Sequence, residues 1–117
     1  MTAEESLKVL ARFDAAINAH DLNEMLALVT DDIIFESTSP APDGARYEGR
    51  EAVAKVWGDM LASTPGTHFT IEEQFAMGDD RAVVLWRYDW GDGHVRGVDI
   101  DKFRDGKLCE SLAYVKG

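Results

Sequence analysis

Two aspartates in the C-terminal third of the chain are the strongest candidates for chemistry. One residue separates Asp99 from Asp101, and Phe103 follows at the same spacing. Side chains two positions apart in a strand point to the same face, so these three residues are expected to share one surface. An acid on a phenylalanine-bearing inner face is costly without a use or a partner. The pattern favours Asp101 as an acid or hydrogen-bond donor in a cavity; the alternative is a solvated carboxylate or one paired with an arginine.

A second polar pair, Arg87 and Asp89, lies in a segment with two distinct faces. One face carries Val83, Leu85, Arg87 and Asp89, and the other carries Val84, Trp86, Tyr88 and Trp90. Hydrophobicity alone would bury the aromatic face. An arginine between carboxylates can orient a water molecule or hold a polar ligand, and the alternative for this pair is a cross-strand salt bridge.

Local signals predict the N-terminal elements that must position these residues. Thr2 and Glu5 have the spacing of a capping box that opens a first helix, and Asp21 can cap a second, short helix. The elements that follow are, in order, a strand over residues 33–35, a loop containing proline and glycine over 37–49, and a third helix over 50–62.

The rest of the chain is predicted to form four strands, over residues 67–77, 81–90, 95–103 and 108–115. Each turn between them contains glycine and aspartate, which suit backbone positions of positive φ. Helices gathered before a long antiparallel meander predict an α+β fold with the helices on one face of the sheet. A chain of 117 residues is expected to form one domain, over residues 1–117.

Composition argues against several classes of function. The formal charge of −10 and the scattered basic residues argue against nucleic-acid binding, and the acidity favours solubility, with steering of a cationic ligand as a second interpretation. No apolar stretch reaches the roughly 18 residues of a membrane span, and the early charges at Glu4, Glu5 and Lys8 predict no signal peptide. The lone Cys109 suits a reducing cytoplasm. No residue spacing matches a metal site or a phosphate-binding glycine loop, so neither a metal nor a cofactor is expected.

Four strings, taken in order, carry a resemblance to a known fold family. They are FxxAINAHDL over residues 13–22, TDDIIFE over 30–36, the start of the third helix over 49–57, and RGVDIDKFRDGKL over 96–108. Together they resemble the nuclear transport factor two-like superfamily, and more narrowly its SnoaL-like polyketide cyclase and ketosteroid isomerase-like group. The resemblance implies a cone-shaped α+β barrel, in which a curved antiparallel sheet wraps three N-terminal helices around a pocket. It also implies a homodimer through the convex sheet face.

The ketosteroid isomerase-like resemblance assigns a role to one residue. At two other catalytic positions of those enzymes this chain lacks the required side chain. In those enzymes the residue matching Asp101 is an aspartic acid kept protonated to donate a hydrogen bond to an oxyanion. The residues matching the oxyanion tyrosine and the general base are Phe13 and Ser37 here, and neither can do that work. Glu36 is adjacent, but strand alternation sends it to the opposite face. Steroid isomerisation by the usual mechanism is therefore not expected.

The string Arg87-Tyr88-Asp89 resembles the Arg-x-Asp of limonene-type epoxide hydrolases, in which an arginine and two carboxylates activate a water molecule. The residue matching the remaining carboxylate is Ala113, and a carboxylate from the neighbouring strand could replace it. The family register points Arg87 and Asp89 inward and leaves the aromatic side chains on the convex face, where a dimer would cover them. We take this register as the expectation.

The sequence predicts a domain that binds a small, largely apolar molecule. Cofactor-free isomerisation, cyclisation or hydration would centre on Asp101, with Arg87 and Asp89 positioning a polar group or water. The residues expected to line the cavity, each with core packing as its alternative, are Phe13, Ile17, Phe35, Trp57, Met60, Asp99 and Phe103. One alternative function is a non-catalytic ligand-binding or dimerisation module, favoured by the missing tyrosine and general base. A weaker one is epoxide hydrolase-like hydration.

Overall fold

The computed structural model describes residues 2–63 and 66–116. Its elements are helices α1 (Ala3–Asn18) and α2 (Leu22–Ala27), strands β1 (Val29–Glu36) and β2 (Arg46–Glu48), helix α3 (Arg50–Ser63), and strands β3 (His68–Met77), β4 (Arg81–Asp89), β5 (His94–Arg104) and β6 (Lys107–Val115). The predicted α+β class is confirmed. In the described ranges, no helix is long and apolar enough to cross a membrane.

Polar caps set the starts of the first two helices. The Thr2 hydroxyl accepts a hydrogen bond from the Glu5 amide, and the Glu5 carboxylate accepts one from the Thr2 amide, each at 3.1 Å. The Asp21 carboxylate accepts from the Glu24 amide at 3.1 Å. Because these bonds satisfy amides that a helix start leaves without partners, the two helices begin where the sequence predicts.

The strands described form a six-stranded sheet in the order β2-β1-β6-β5-β4-β3. The meander from β3 to β6 is antiparallel, whereas β1 runs parallel to β6. Strand β2 lies inside the segment that the sequence predicts as a loop. It pairs with β1, and Arg46 in β2 forms an ion pair with Glu36 at 2.9 Å. The register of β5 on β6 sets Asp99 beside Ala113 and Asp101 beside Ser111.

The aromatic face of β4 points inward, so the family-derived register is wrong for this strand. Ala82, Val84 and Trp86 are buried and belong to the hydrophobic core, and Tyr88 packs against it. Arg87 and Asp89 alternate with them and therefore lie on the convex face, where they pair with each other at 3.1 Å. Hydrophobicity predicts this strand correctly, because burying the indole removes far more apolar surface from water than burying an arginine stem.

Candidate functional site

A cavity of about 470 Å³ lies between the helices and the inner face of the sheet. This volume falls within the usual range for sites that bind small molecules. Helix α1 contributes Phe13 and Ile17 to its wall, α3 contributes Trp57 and Met60, and β1 contributes Phe35. The segment after β1 adds Ser37, Thr38 and Ser39. The cavity is therefore built by helices, by the sheet and by the segment that follows β1.

Aromatic rings pack edge to face around the cavity. The Trp57 ring is 5.2 Å from the Phe13 ring and 5.5 Å from the Phe35 ring, measured between centroids, with interplanar angles of 65°. On the opposite wall the Phe69 ring is 5.5 Å from the Trp86 ring. Such contacts hold each ring in one orientation. The apolar wall is thus ordered before any ligand arrives.

Asp99 is the ionisable acid in the wall of this cavity. The indole nitrogen of Trp86 donates a hydrogen bond to its Oδ1 at 2.9 Å. Burial raises the pKa of Asp99 to about 7, and the bond from Trp86 offsets part of that effect. An acid with a pKa near neutral can both accept and donate a proton at physiological pH.

Asp101 lies behind Asp99, two residues further along β5, and is only 3 % exposed. Burial raises its pKa well above the usual range, and the charges of Asp99 and Asp14 add to the effect. A hydrogen bond with the Ser111 side chain acts in the opposite direction. Its Oδ1 has no hydrogen-bond partner among the described residues. Asp101 is thus a buried acid beside Asp99 and not a wall residue, because the lining includes Asp99 and Ser111 but not Asp101.

Asp14 is a third interior acid, and the sequence analysis missed it. Burial, together with the charge of Asp99, raises its pKa to about 7. Its Oδ2 is buried without a hydrogen-bond partner in the described part of the chain. The signal was helical spacing, since Asp14 is four residues after Leu10 and three before Ile17, on the buried side of α1. The three acids sit close enough for their charges to interact.

Comparisons with known proteins place this geometry in a family. A family model described as a SnoaL-like domain matches residues 10–111. The chain belongs to the SnoaL-like domain family. A nuclear transport factor two-like protein of unknown function from Mesorhizobium loti is 40 % identical, with a TM-score of 0.86 over 98 % of this chain and 93 % of that one. No curated protein gives a significant match.

Two more distant structures share the fold. A steroid delta-isomerase from Pseudomonas aeruginosa is 22 % identical, with a TM-score of 0.75 over 97 % of this chain and 80 % of that one. A computationally designed 17-OHP binder is 24 % identical, with a TM-score of 0.82 over 96 % and 91 % of the two chains. The family match and the Mesorhizobium loti structure confirm the predicted resemblance, and the two distant structures show the same fold.

This SnoaL-like domain places the residues predicted from sequence in three locations. Phe13, Ile17, Phe35, Trp57, Met60 and Asp99 lie at the cavity wall. Phe103 is buried in the hydrophobic core instead and does not line the cavity. Arg87 and Asp89 lie outside the cavity. With Ala113 in the wall, the arginine and carboxylates of an epoxide hydrolase-like site are not assembled there.

The isomerase positions of the SnoaL-like domain are occupied as the sequence indicates. Phe13 presents an apolar ring to the cavity, and the Ser37 hydroxyl donates to the carbonyl oxygen of Ser39 at 2.8 Å. Glu36 pairs with Arg46 instead of entering the cavity. Within the described ranges, no group of His, Cys, Asp and Glu side chains could hold a metal ion.

Proposed function

We propose that this domain binds a small, largely apolar molecule and transfers a proton on it without a cofactor. The supporting observation is the Asp99 carboxyl group in the wall of an otherwise aromatic cavity, with Asp101 buried directly behind it. A deeply buried acid is costly to keep and is common where a protein performs acid–base chemistry. The fold shared with a steroid delta-isomerase and a designed 17-OHP binder agrees with an apolar ligand.

Each acid has a distinct role in this proposal. Asp99 touches the ligand and accepts a proton from a carbon beside a carbonyl, or returns it at the neighbouring carbon. Asp101 is a positioning residue, buried beside Asp99 and outside the cavity wall that the ligand contacts. Isomerisation and cyclisation both require such a movement of a proton. Arg87 and Asp89 take no part, because they lie on the other face of the sheet.

Substitution of Asp99 tests the proton transfer directly. The wild-type protein is expected to accelerate exchange of the α-protons of 2-decalone for deuterium in D₂O, followed by proton NMR. Asp99→Asn should slow this exchange by about 100-fold or more, since a positioned base contributes that much. Asp101→Asn should leave the acidic limb of the pH–rate profile nearly in place, because burial and not the charge of Asp101 raises the pKa of Asp99. Asp89→Asn is the matched control and should change neither result.

The same experiment separates catalysis from binding alone. Quenching of the cavity tryptophans by 2-decalone reports occupancy independently of exchange. If 2-decalone binds but the wild-type protein exchanges its protons no faster than Asp99→Asn does, the domain is a non-catalytic binding module. If the ketone does not quench the tryptophans at any concentration, the proposed apolar ligand class is wrong.

We also infer that the convex sheet face forms a homodimer. Tyr114 on this face is 51 % exposed; Val98 pairs with it from β5, Leu85 pairs with Val98 from β4, and Leu112 lies two residues before it on β6. Ion pairs flank these apolar side chains, including Arg96 with Glu72 at 2.8 Å. An apolar centre with a polar rim is the usual anatomy of a protein interface.

A charge at the centre of this face is expected to prevent dimerisation. Val98→Glu places a carboxylate among apolar side chains, where an unpaired charge is strongly unfavourable. Sedimentation velocity should show a dimer for the wild-type protein and a monomer for Val98→Glu. Ala52→Glu, on the exposed side of α3, introduces the same charge elsewhere and should remain dimeric. A monomeric wild-type protein at micromolar concentration would contradict the inference.

A further inference from the structure

Three carboxyl groups lie close together in the interior of this domain. Asp14, Asp99 and Asp101 bring six carboxyl oxygens into one region, and two of these oxygens, Asp14 Oδ2 and Asp101 Oδ1, are buried without a partner among the described residues. Buried acceptors without partners are rare because each costs free energy. Asp14 and Asp101 do not line the cavity, so a ligand meets this cluster through Asp99, where a positive charge would stabilise the ionised carboxylate.

Several donors around the cavity are already engaged by the protein itself. The Trp86 indole nitrogen donates to Asp99 at 2.9 Å, and the Tyr88 hydroxyl donates to the Thr67 hydroxyl at 2.9 Å. The Ser37 hydroxyl donates to a backbone carbonyl. Among the described lining residues, none is lysine, arginine or histidine. Asp99 therefore faces the cavity with no cationic partner in its wall.

Aromatic rings share the cavity wall with this acid. Trp86 and Tyr88 line the wall on β4, Trp90 follows them, and Phe69 packs against both Trp86 and Tyr88. The faces of such rings carry negative electrostatic potential and attract organic cations within about 6 Å of the ring centre. The aromatic rings and the acid therefore favour the same kind of ligand.

We propose that the cavity selects a small hydrophobic amine, bound as its ammonium ion with Asp99 as the counter-ion. This inference rests on the proposed function, because it names the class of molecule that the same cavity takes. The apolar body of the ligand lies between Trp57 and Met60 on α3 and the rings of β4. The formal charge of −10 on the chain raises the local concentration of cations and favours the encounter.

The charged groups facing Asp99 make amine binding dependent on pH. Helix α1 presents Asp14, and β5 itself supplies Asp101. Strand β4 presents Trp86, and β6 presents Ser111 and Ala113, which carry no charge. Because burial raises the pKa of Asp99 to about 7, a bound ammonium ion drives ionisation of the acid and releases a proton near neutral pH. At pH 5 the acid is protonated and the advantage of the amine declines.

Three ligands of one shape test this inference. They are 1-adamantylamine, 1-adamantanol and 1-adamantanecarboxylate, which differ in charge but little in volume. Isothermal titration calorimetry at pH 7.5 should show the amine binding at least about tenfold more tightly than the alcohol, and the carboxylate most weakly. The preference for the amine should shrink at pH 5. Titrations in buffers of different ionisation enthalpy should detect proton release with the amine but not with the alcohol.

Variants show whether Asp99 is responsible for the preference. Asp99→Asn keeps an acceptor for the Trp86 indole and removes the charge, so the amine should lose its advantage over the alcohol. Asp89→Asn removes a carboxylate from the convex face and should preserve that advantage. Equal affinities for amine and alcohol in the wild-type protein overturn this inference but leave the apolar cavity of the proposed function standing. If none of the three ligands binds, both are overturned.

Discussion

The protein is expected to become less stable as the pH rises from 5 to 8. Asp14 and Asp99 have folded-state pKa values raised to about 7 by burial, and burial raises the pKa of Asp101 as well. In this window the folded protein holds protons that the unfolded chain, whose aspartates have pKa values near 3.8, has already lost. Since the folded state binds more protons, raising the pH favours unfolding.

The expected loss of stability is a large fraction of the total free energy of unfolding. Raising one carboxyl from its usual range to about 7 corresponds to about 4 kcal/mol. The three acids interact, so their contributions do not simply add. Between pH 5 and pH 8 each group loses only the part above pH 5, about 2 to 3 kcal/mol, so for the interacting acids together we expect the free energy of unfolding to fall by about 4 kcal/mol, out of a typical total of about 5–15 kcal/mol.

Surface ion pairs act in the opposite direction but in another pH range. The bond from Arg104 lowers the pKa of Asp32, so the stability from this pair is present above the unfolded value and is lost only as the pH falls below it. Acid-induced loss of this kind is confined to pH values below about 4. Measurements from pH 5 to pH 8 therefore report mainly on the interior acids.

Urea unfolding at four pH values in this window provides the test. Asp99→Asn removes one of the titrating groups while keeping the acceptor for Trp86. Its stability should depend less steeply on pH, and at pH 8 it should be more stable than the wild-type protein by about 2 kcal/mol. Asp89→Asn should follow the wild-type slope. A wild-type profile that is flat or rises with pH would show that the interior acids are not held protonated.

Much of the fold could be predicted because its signals are local. A capping box, a run of β-branched residues and turns of glycine and aspartate each act over a few residues, and they mark the helices and the four-stranded meander. Strand β2 escaped because three residues flanked by proline and glycine give no periodic signal. These three residues form a strand because they pair with the backbone of β1. A local sequence pattern does not show which other segment of the chain a strand will pair with.

The candidate site depended on information that local patterns do not carry. The spacing of Asp99 and Asp101 correctly predicts one shared face. The family alignment predicts the wrong orientation of β4, which follows the hydrophobicity of Trp86 instead. Asp14 was missed because a helical aspartate is expected in water. The packing of α1 against the sheet brings Asp14 close to Asp99 and buries it, and this burial raises its pKa.

Gly97→Ala is expected to distort the cavity wall and to destabilise the protein by about 3 kcal/mol. A Cβ atom at this position would lie 2.3 Å from the backbone oxygen of Tyr114 and 2.5 Å from the Trp86 ring. Neither neighbour can yield easily, since one is backbone of the paired strand β6 and the other is a packed indole. The glycine thus leaves the space in which the Trp86 ring reaches Asp99.

Gly97→Ala should lower the free energy of unfolding and also change the hydrogen bonding of the Trp86 indole. Urea unfolding measures the first, and the nitrogen–proton NMR signal of the Trp86 indole reports whether its hydrogen bond to Asp99 survives. Gly58→Ala is the matched control, because its Cβ would meet only a Leu22 methyl group at 3.3 Å and alanine favours a helix. It should cost little or nothing.

A double substitution distinguishes a clash with the ring from a clash with the backbone. If the Trp86 ring is the main obstacle, Trp86→Phe should cost less in the Gly97→Ala background than in the wild-type protein, because the smaller ring vacates the space that Cβ needs. If the two losses simply add, the clash with the Tyr114 carbonyl dominates. The glycine then serves the pairing of β5 with β6, and the position of the indole beside Asp99 depends on its own packing.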